Sequence, residues 1–226
     1  MQRSLFIDSF LRPELIARYT PDILAAMLVT VEIAALVVAS GLALGLMLAL
    51  VRSFRLRLID ILIVAYVDVF RAVPPLVLVL LVFFGLPNVG INLPSRAVLW
   101  LVLSLVLGAV AEEIFWAGIL SVRKGQWEAA RSTGLGFAQT LAYVVLPQAI
   151  RLTVPPLTNR TIAITKNTAL GSVIGVPEIL NVATTAESFI GNATPLTMGA
   201  LAYVLLFIPV VILGRWLETR FAWRRA

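Results

Sequence analysis

Ionisable side chains set inside apolar runs are the residues of this chain best placed to do chemistry. Glu112 and Glu113 interrupt one such run, Arg71 closes another three residues after Asp68, and Arg160 and Lys166 lie in a third. Charged groups at membrane depth are costly and turn towards a bundle interior or a water-filled cavity. Two uses fit Arg160 and Lys166: interhelical salt bridges with Glu112 or Glu113, or a polar path for a solute. One set of residues can serve both. Asp68 and Arg71 are spaced to pair on one helix face, and Pro74-Pro75 must break or kink the helix that carries them, since neither proline donates a backbone hydrogen bond. The third run is the most polar. Thr153, Arg160 and Asn167 recur every seven residues and share a face. Asn159 and Lys166 form a second stripe about 100° away, and together the two make a wedge that cannot face lipid.

The elements that position these groups must be transmembrane helices. The chain has 226 residues, 60% of them hydrophobic and 13% charged, with a mean hydropathy of +0.98. Soluble domains hold about 45–50% apolar and about 25% charged residues, so the fold class is all-α, a polytopic membrane helix bundle in a single domain. With no cysteine and no histidine, disulfides, thiolate nucleophiles, imidazole bases and the usual zinc ligands are excluded, and an intramembrane enzyme loses its players. A span needs about 20 apolar residues, which gives five: 23–51, 59–86, 98–120, 152–174 and 196–213. Glycine and alanine at Ala39, Gly41, Ala43, Gly45 and Ala49 suit the first to close helix contacts.

Basic residues fix an orientation. Arg52, Arg55, Arg57, Arg123, Lys124, Arg131, Arg151, Arg215, Arg220, Arg224 and Arg225 fall on one side, and Arg3, Arg12, Arg18 and Arg96 on the other. The richer side is expected in the cytoplasm, with the N-terminus outside and the C-terminus inside. The same asymmetry accounts for the net charge of +6 without a nucleic-acid partner.

The longest cytoplasmic connection, 125–147, holds a polar segment in a greasy chain. Gln126–Thr133 is expected to form a short helix ended by Gly134, and Phe137–Val145 a second one stopped before Pro147. Small side chains at Ala129, Ala130 and Ser132 let another surface approach closely. On the opposite side, residues 178–190 read as a helix in a connection without basic residues, either a plain loop helix or a lip for an external partner.

Four motifs in this order resemble those of ATP-binding-cassette importer permeases of the polar amino-acid family. They are Phe70-Arg71-Ala72-Val73-Pro74-Pro75-Leu76, Gly125-Gln126-Trp127-Glu128-Ala129-Ala130, Leu146-Pro147-Gln148-Ala149 and Lys166-Asn167-Thr168-Ala169-Leu170. The resemblance spans roughly residues 23–216. It implies a type I importer permease fold in a bacterial inner membrane, and a coupling helix in which Gln126, Glu128, Ala129, Ala130 and Gly134, with Leu146 and Pro147, engage a cytoplasmic ATPase. It implies a second permease subunit, identical or paralogous, and an external solute-binding protein as further partners. ATP and magnesium would be bound by the ATPase, with no cofactor in this chain. The solute path expected beside it uses Arg71, Glu112, Glu113, Trp116, Arg160, Lys166, Asn167 and Thr168. Three positions depart from the family's pattern: Val110 stands where a tyrosine is common, Trp116 where an arginine is common, and Asn167 where an aspartate is common. All three lie near the expected path and bear on the solute. A stand-alone secondary transporter is the competing reading, but the chain has no convincing internal repeat.

Overall fold

The computed structural model describes residues 7–221, and among them every regular element is helical. In order these are α1 (Pro13–Arg52), α2 (Arg57–Ala72), α3 (Pro75–Gly85), a 3-10 turn (Leu86–Val89), α4 (Ser95–Ser121), α5 (Lys124–Ser132), α6 (Phe137–Thr140), a π-helical turn (Leu141–Val145), α7 (Leu146–Lys166), a 3-10 segment (Asn167–Ile174), α8 (Ile179–Ile190) and α9 (Thr194–Phe221). The runs ending in α1, α4 and α9 are each long and apolar enough to cross a membrane, and two interrupted helix pairs raise the number to five. The second span is broken between Ala72 and Pro75, where the two prolines remove backbone donors. The fourth is more irregular than its hydropathy suggests. α7 runs through Pro155 and Pro156, then tightens to 3-10 winding at Asn167. There Thr168 and Ser172 turn their hydroxyls back to the carbonyls of Thr165 and Ala169, both at 2.8 Å, a local bond that competes with regular helix.

The chain folds into two compact units that share the long helices. One unit holds 7–37, 75–103 and 164–212 of the described residues. Its core gathers Ile23 and Ala26 of α1, Ile179 and Ala183 of α8, and Ala202 of α9. α8 starts on Glu178, whose fully buried carboxylate accepts from the backbone N–H groups of Leu180 (3.0 Å) and Asn181 (2.7 Å) and from the Tyr203 hydroxyl (2.5 Å). The Ile179 N–H goes to Thr30 Oγ1 at 3.4 Å. The first-turn donors of this helix, orphaned by geometry, are therefore met by side chains.

The other unit holds 38–74, 104–163 and 213–221. Here the C-terminal half of α1 lies against α4 at its glycines. A Cβ at Gly41 would come 2.8 Å from Leu107 Cβ, and one at Gly45 would come 2.5 Å from Ala111 Cβ and 2.8 Å from the Glu112 backbone nitrogen. The small residues of the first span thus serve the close approach expected of them. Gly45→Val is expected to lower stability by about 1–3 kcal/mol through overpacking, because backbone at Glu112 cannot move aside as a flexible side chain would. A lowered thermal unfolding midpoint of the purified protein would show it.

Candidate functional site

α5 divides into two faces. Trp127 and Gln126 are half-buried and Ala130 is buried, whereas Glu128, Ala129, Arg131 and Ser132 are exposed. The inward face rests on a buried cluster that includes Phe115, Ile119, Val122, Leu141 and Val145, and the Trp127 ring stacks on Phe137 with centroids 5.5 Å apart. Glu128 is 63% exposed and meets Lys124 of its own helix at 3.2 Å. A short helix with little apolar surface is thereby held by one face and offers the other. It ends at Gly134, whose φ of +92° lies in the left-handed region and whose N–H returns to the Arg131 carbonyl at 3.0 Å. A Cβ there would touch nothing within 4 Å, so the backbone conformation, not space, requires glycine.

A side-chain bond joins α5 to α7. Gln148 Nε2 donates to Gln126 Oε1 at 3.3 Å and to the Val144 carbonyl at 2.7 Å. Leu146 beside it is half-buried and Pro147 exposed. The expected stop before Pro147 does not occur: residues 137–166 are helical without interruption. The widened turn at Leu141–Val145, with the Leu146 N–H reaching the Leu141 carbonyl, precedes the proline. Such a π turn already breaks the regular bonding ladder, so a missing donor just after it costs little. Gln148 is legible in the sequence only as part of its motif, because nothing local pairs it with Gln126.

The membrane-embedded charges pair differently from expectation. Glu112 is fully buried and accepts from Arg52 Nη1 at 3.0 and 3.3 Å, and the same guanidinium lies 4.9 Å over the Trp116 ring. Glu113 pairs with Arg71, which therefore turns to α4 and away from Asp68 on its own helix. Helix α2 presents Asp68 as an exposed residue. Neither acid draws on Arg160 or Lys166; both cations are exposed on α7. Thr153 is buried and Asn167 half-buried, so the seven-residue repeat does not share one degree of exposure. Thr168, fully buried with its hydroxyl spent on Thr165, offers no free donor to a solute. By sequence Arg52 is an ordinary loop cation; its partner lies sixty residues away, beyond any local signal.

Comparison with known proteins places these features in a family. The family model described as "Binding-protein-dependent transport system inner membrane component" matches residues 41–223. The "Probable glutamine ABC transporter permease protein GlnP" of Bacillus subtilis (strain 168) is 35% identical over 172 residues, 74% of this chain and 79% of that one. The "Arginine transport system permease protein ArtQ" of the same organism is 31% identical over 202 residues, 88% of this chain and 92% of that one. Among solved structures, "Crystal structure of an amino acid ABC transporter with histidines" matches with a TM-score of 0.82 at 32% identity, covering 91% of this chain and 96% of that one.

Proposed function

We propose a role that starts from the family: the chain belongs to the binding-protein-dependent transport system inner membrane components, and is a multi-pass permease subunit of the ATP-binding-cassette type. In our reading it imports a polar amino acid or a similar zwitterion, driven by ATP hydrolysis in a partner ATPase that binds the nucleotide and magnesium. A second permease subunit and an external solute-binding protein complete the assembly, and the N-terminus lies outside with the C-terminus in the cytoplasm.

The observation that carries this reading is the division of α5 into an anchored face and a free face. Glu128 and Ala129 would meet the ATPase. Trp127, Ala130 and the Gln126–Gln148 bond would pass its motion to α7, where Leu146 and Pro147 begin the helix. Arg71 and Glu113, each close to half-exposed at 48% and 44%, suit a zwitterion: its carboxylate can replace Glu113 on Arg71 while its ammonium takes Glu113. Arg160, Lys166 and Asn167 would add polar contacts along the path. The exchange leaves no charge unpaired, which at membrane depth is the condition for low cost.

The test is reconstitution. The complex purified through a tag on this chain should take up labelled amino acids into vesicles only when ATP is supplied on the ATPase side. Uptake driven by an ion gradient, with no ATPase co-purifying, would favour a stand-alone secondary transporter instead. Within this reading, Asn167→Asp adds an acid beside Lys166 and is expected to shift preference towards cationic amino acids. An unchanged profile in competition uptake would remove Asn167 from the selecting residues.

A further inference from the structure

We propose that the cavity walled by the end of α1, the end of α4 and the α5–α6 pair binds an acidic phospholipid, with its phosphate on Arg55 and Lys124 and its acyl stem against Trp127, Phe137 and Leu120. The cavity measures about 400 Å³, within the range of small-molecule sites. Arg55 is the one non-glycine residue with positive φ (+53°) among those described. Backbone held in that region clusters at functional sites. Arg55 also has no ion-pair partner among the described residues. Lys124 has a single ion-pair partner among the described residues, Glu128, and both side chains are largely in solvent, so the ammonium can turn to a phosphate at little cost. Two cations in the lining of an otherwise aromatic and aliphatic cavity match a molecule with an anionic head and an apolar stem.

Charge alone would equally suit a soluble phosphate. The walls argue for the lipid. Apart from Ser53 and the two cations, the lining is Trp116, Ile119, Leu120, Val122, Trp127 and Phe137, surface that a free anion would leave wet. The cavity also lies where two apolar helices end and polar chain begins, and Phe54, Leu56 and Leu58 beside it are more than half exposed. Aromatic residues and basic pockets at this depth are the usual signature of headgroup contact. The proposal rests on the cytoplasmic placement given above, since acidic lipids act on that leaflet. Trp127 links the site to the proposed stroke: its ring belongs to the anchored face of α5, so a lipid seated on it touches the helix that the ATPase would move, and acidic lipid would set how firmly that helix is held.

The test counts bound lipid, not transport, so it stands or fails apart from the importer reading. The complex, purified in detergent, is exposed to equal phosphatidylglycerol and phosphatidylcholine, and retained lipid is measured by native mass spectrometry. Phosphatidylglycerol should be retained preferentially. Arg55→Gly with Lys124→Gln should lower that retention roughly tenfold or more and leave phosphatidylcholine unchanged. Glycine favours the backbone conformation at 55, so this variant does not lose lipid by misfolding. Arg55→Lys alone should retain phosphatidylglycerol near the native level. Equal retention of the two lipids, unchanged retention in the double variant, or loss of retention in Arg55→Lys would each overturn the proposal. Displacement of the lipid by inorganic phosphate would reassign the site to a soluble anion.

Discussion

Replacing Glu128 by arginine is expected to reduce ATP-driven uptake to the level of vesicles without ATP, while the protein still inserts and unfolds at its native temperature. Among the described residues the Glu128 carboxylate has one ion-pair partner, Lys124, one turn away at 3.2 Å, and an exposed pair of that kind contributes about 0.3–0.5 kcal/mol. Its loss is a small matter for the fold. At an interface the substitution is severe. The free face of α5 would carry Lys124, Arg131 and a further guanidinium where the acid stood, and a like-charge or unmatched contact across a docking surface costs several kcal/mol. Uptake by the reconstituted complex, read beside the thermal midpoint, separates the two effects. Normal ATP-dependent uptake by Glu128→Arg would reject the coupling role of α5, and a lowered midpoint would mean that Glu128 supports the fold after all.

Features with a short sequence range are legible without the structure. The polar helix at 124–132, its glycine stop at Gly134 and the break at Pro74-Pro75 each follow from a few adjacent residues, because capping, φ and the missing proline donor act locally. The apolar runs similarly mark the spans, though α1 begins at Pro13 and α9 continues to Phe221. Hydropathy marks what lipid can cover, and a helix continues past that limit wherever its backbone bonds are met. The pairing of charges is not legible. Arg71 has an acid three residues before it and chooses one on another helix, and Arg52, placed by sequence in a loop, reaches Glu112. Side-chain spacing on one helix proposes partners; packing between helices decides which are reached, as the close approach of α1 and α4 at Gly41 and Gly45 does for Arg52 and Glu112. The uninterrupted helix through Pro147 escapes sequence reasoning for a related reason, since a π turn has no composition of its own.

Arg52→Ala is expected to destabilise the protein by about 3–5 kcal/mol, because it strands a carboxylate that is fully buried. Glu112 has 0% side-chain exposure and Arg52 20%, so water cannot replace the guanidinium, and Trp116 loses the cation above its ring as well. The pair itself need not be a net source of stability. Two charges taken out of water lose hydration that their attraction only partly restores, and a hydrophobic pair of similar volume is often neutral or better. Arg52→Met with Glu112→Leu should therefore recover most of the midpoint lost by Arg52→Ala. An Arg52→Ala variant as stable as the native protein would mean that Glu112 finds another partner. The neighbouring pair should behave in the opposite way. Arg71 and Glu113 are nearly half exposed, so water can partly cover an unpaired Glu113, and Arg71→Ala should lower the midpoint far less than Arg52→Ala does while lowering uptake. Two adjacent acids on α4 thus differ in setting: Glu112 is fully buried against Arg52 of α1, whereas Glu113, one residue on, is nearly half exposed, and on the proposed reading it would exchange its partner for a solute.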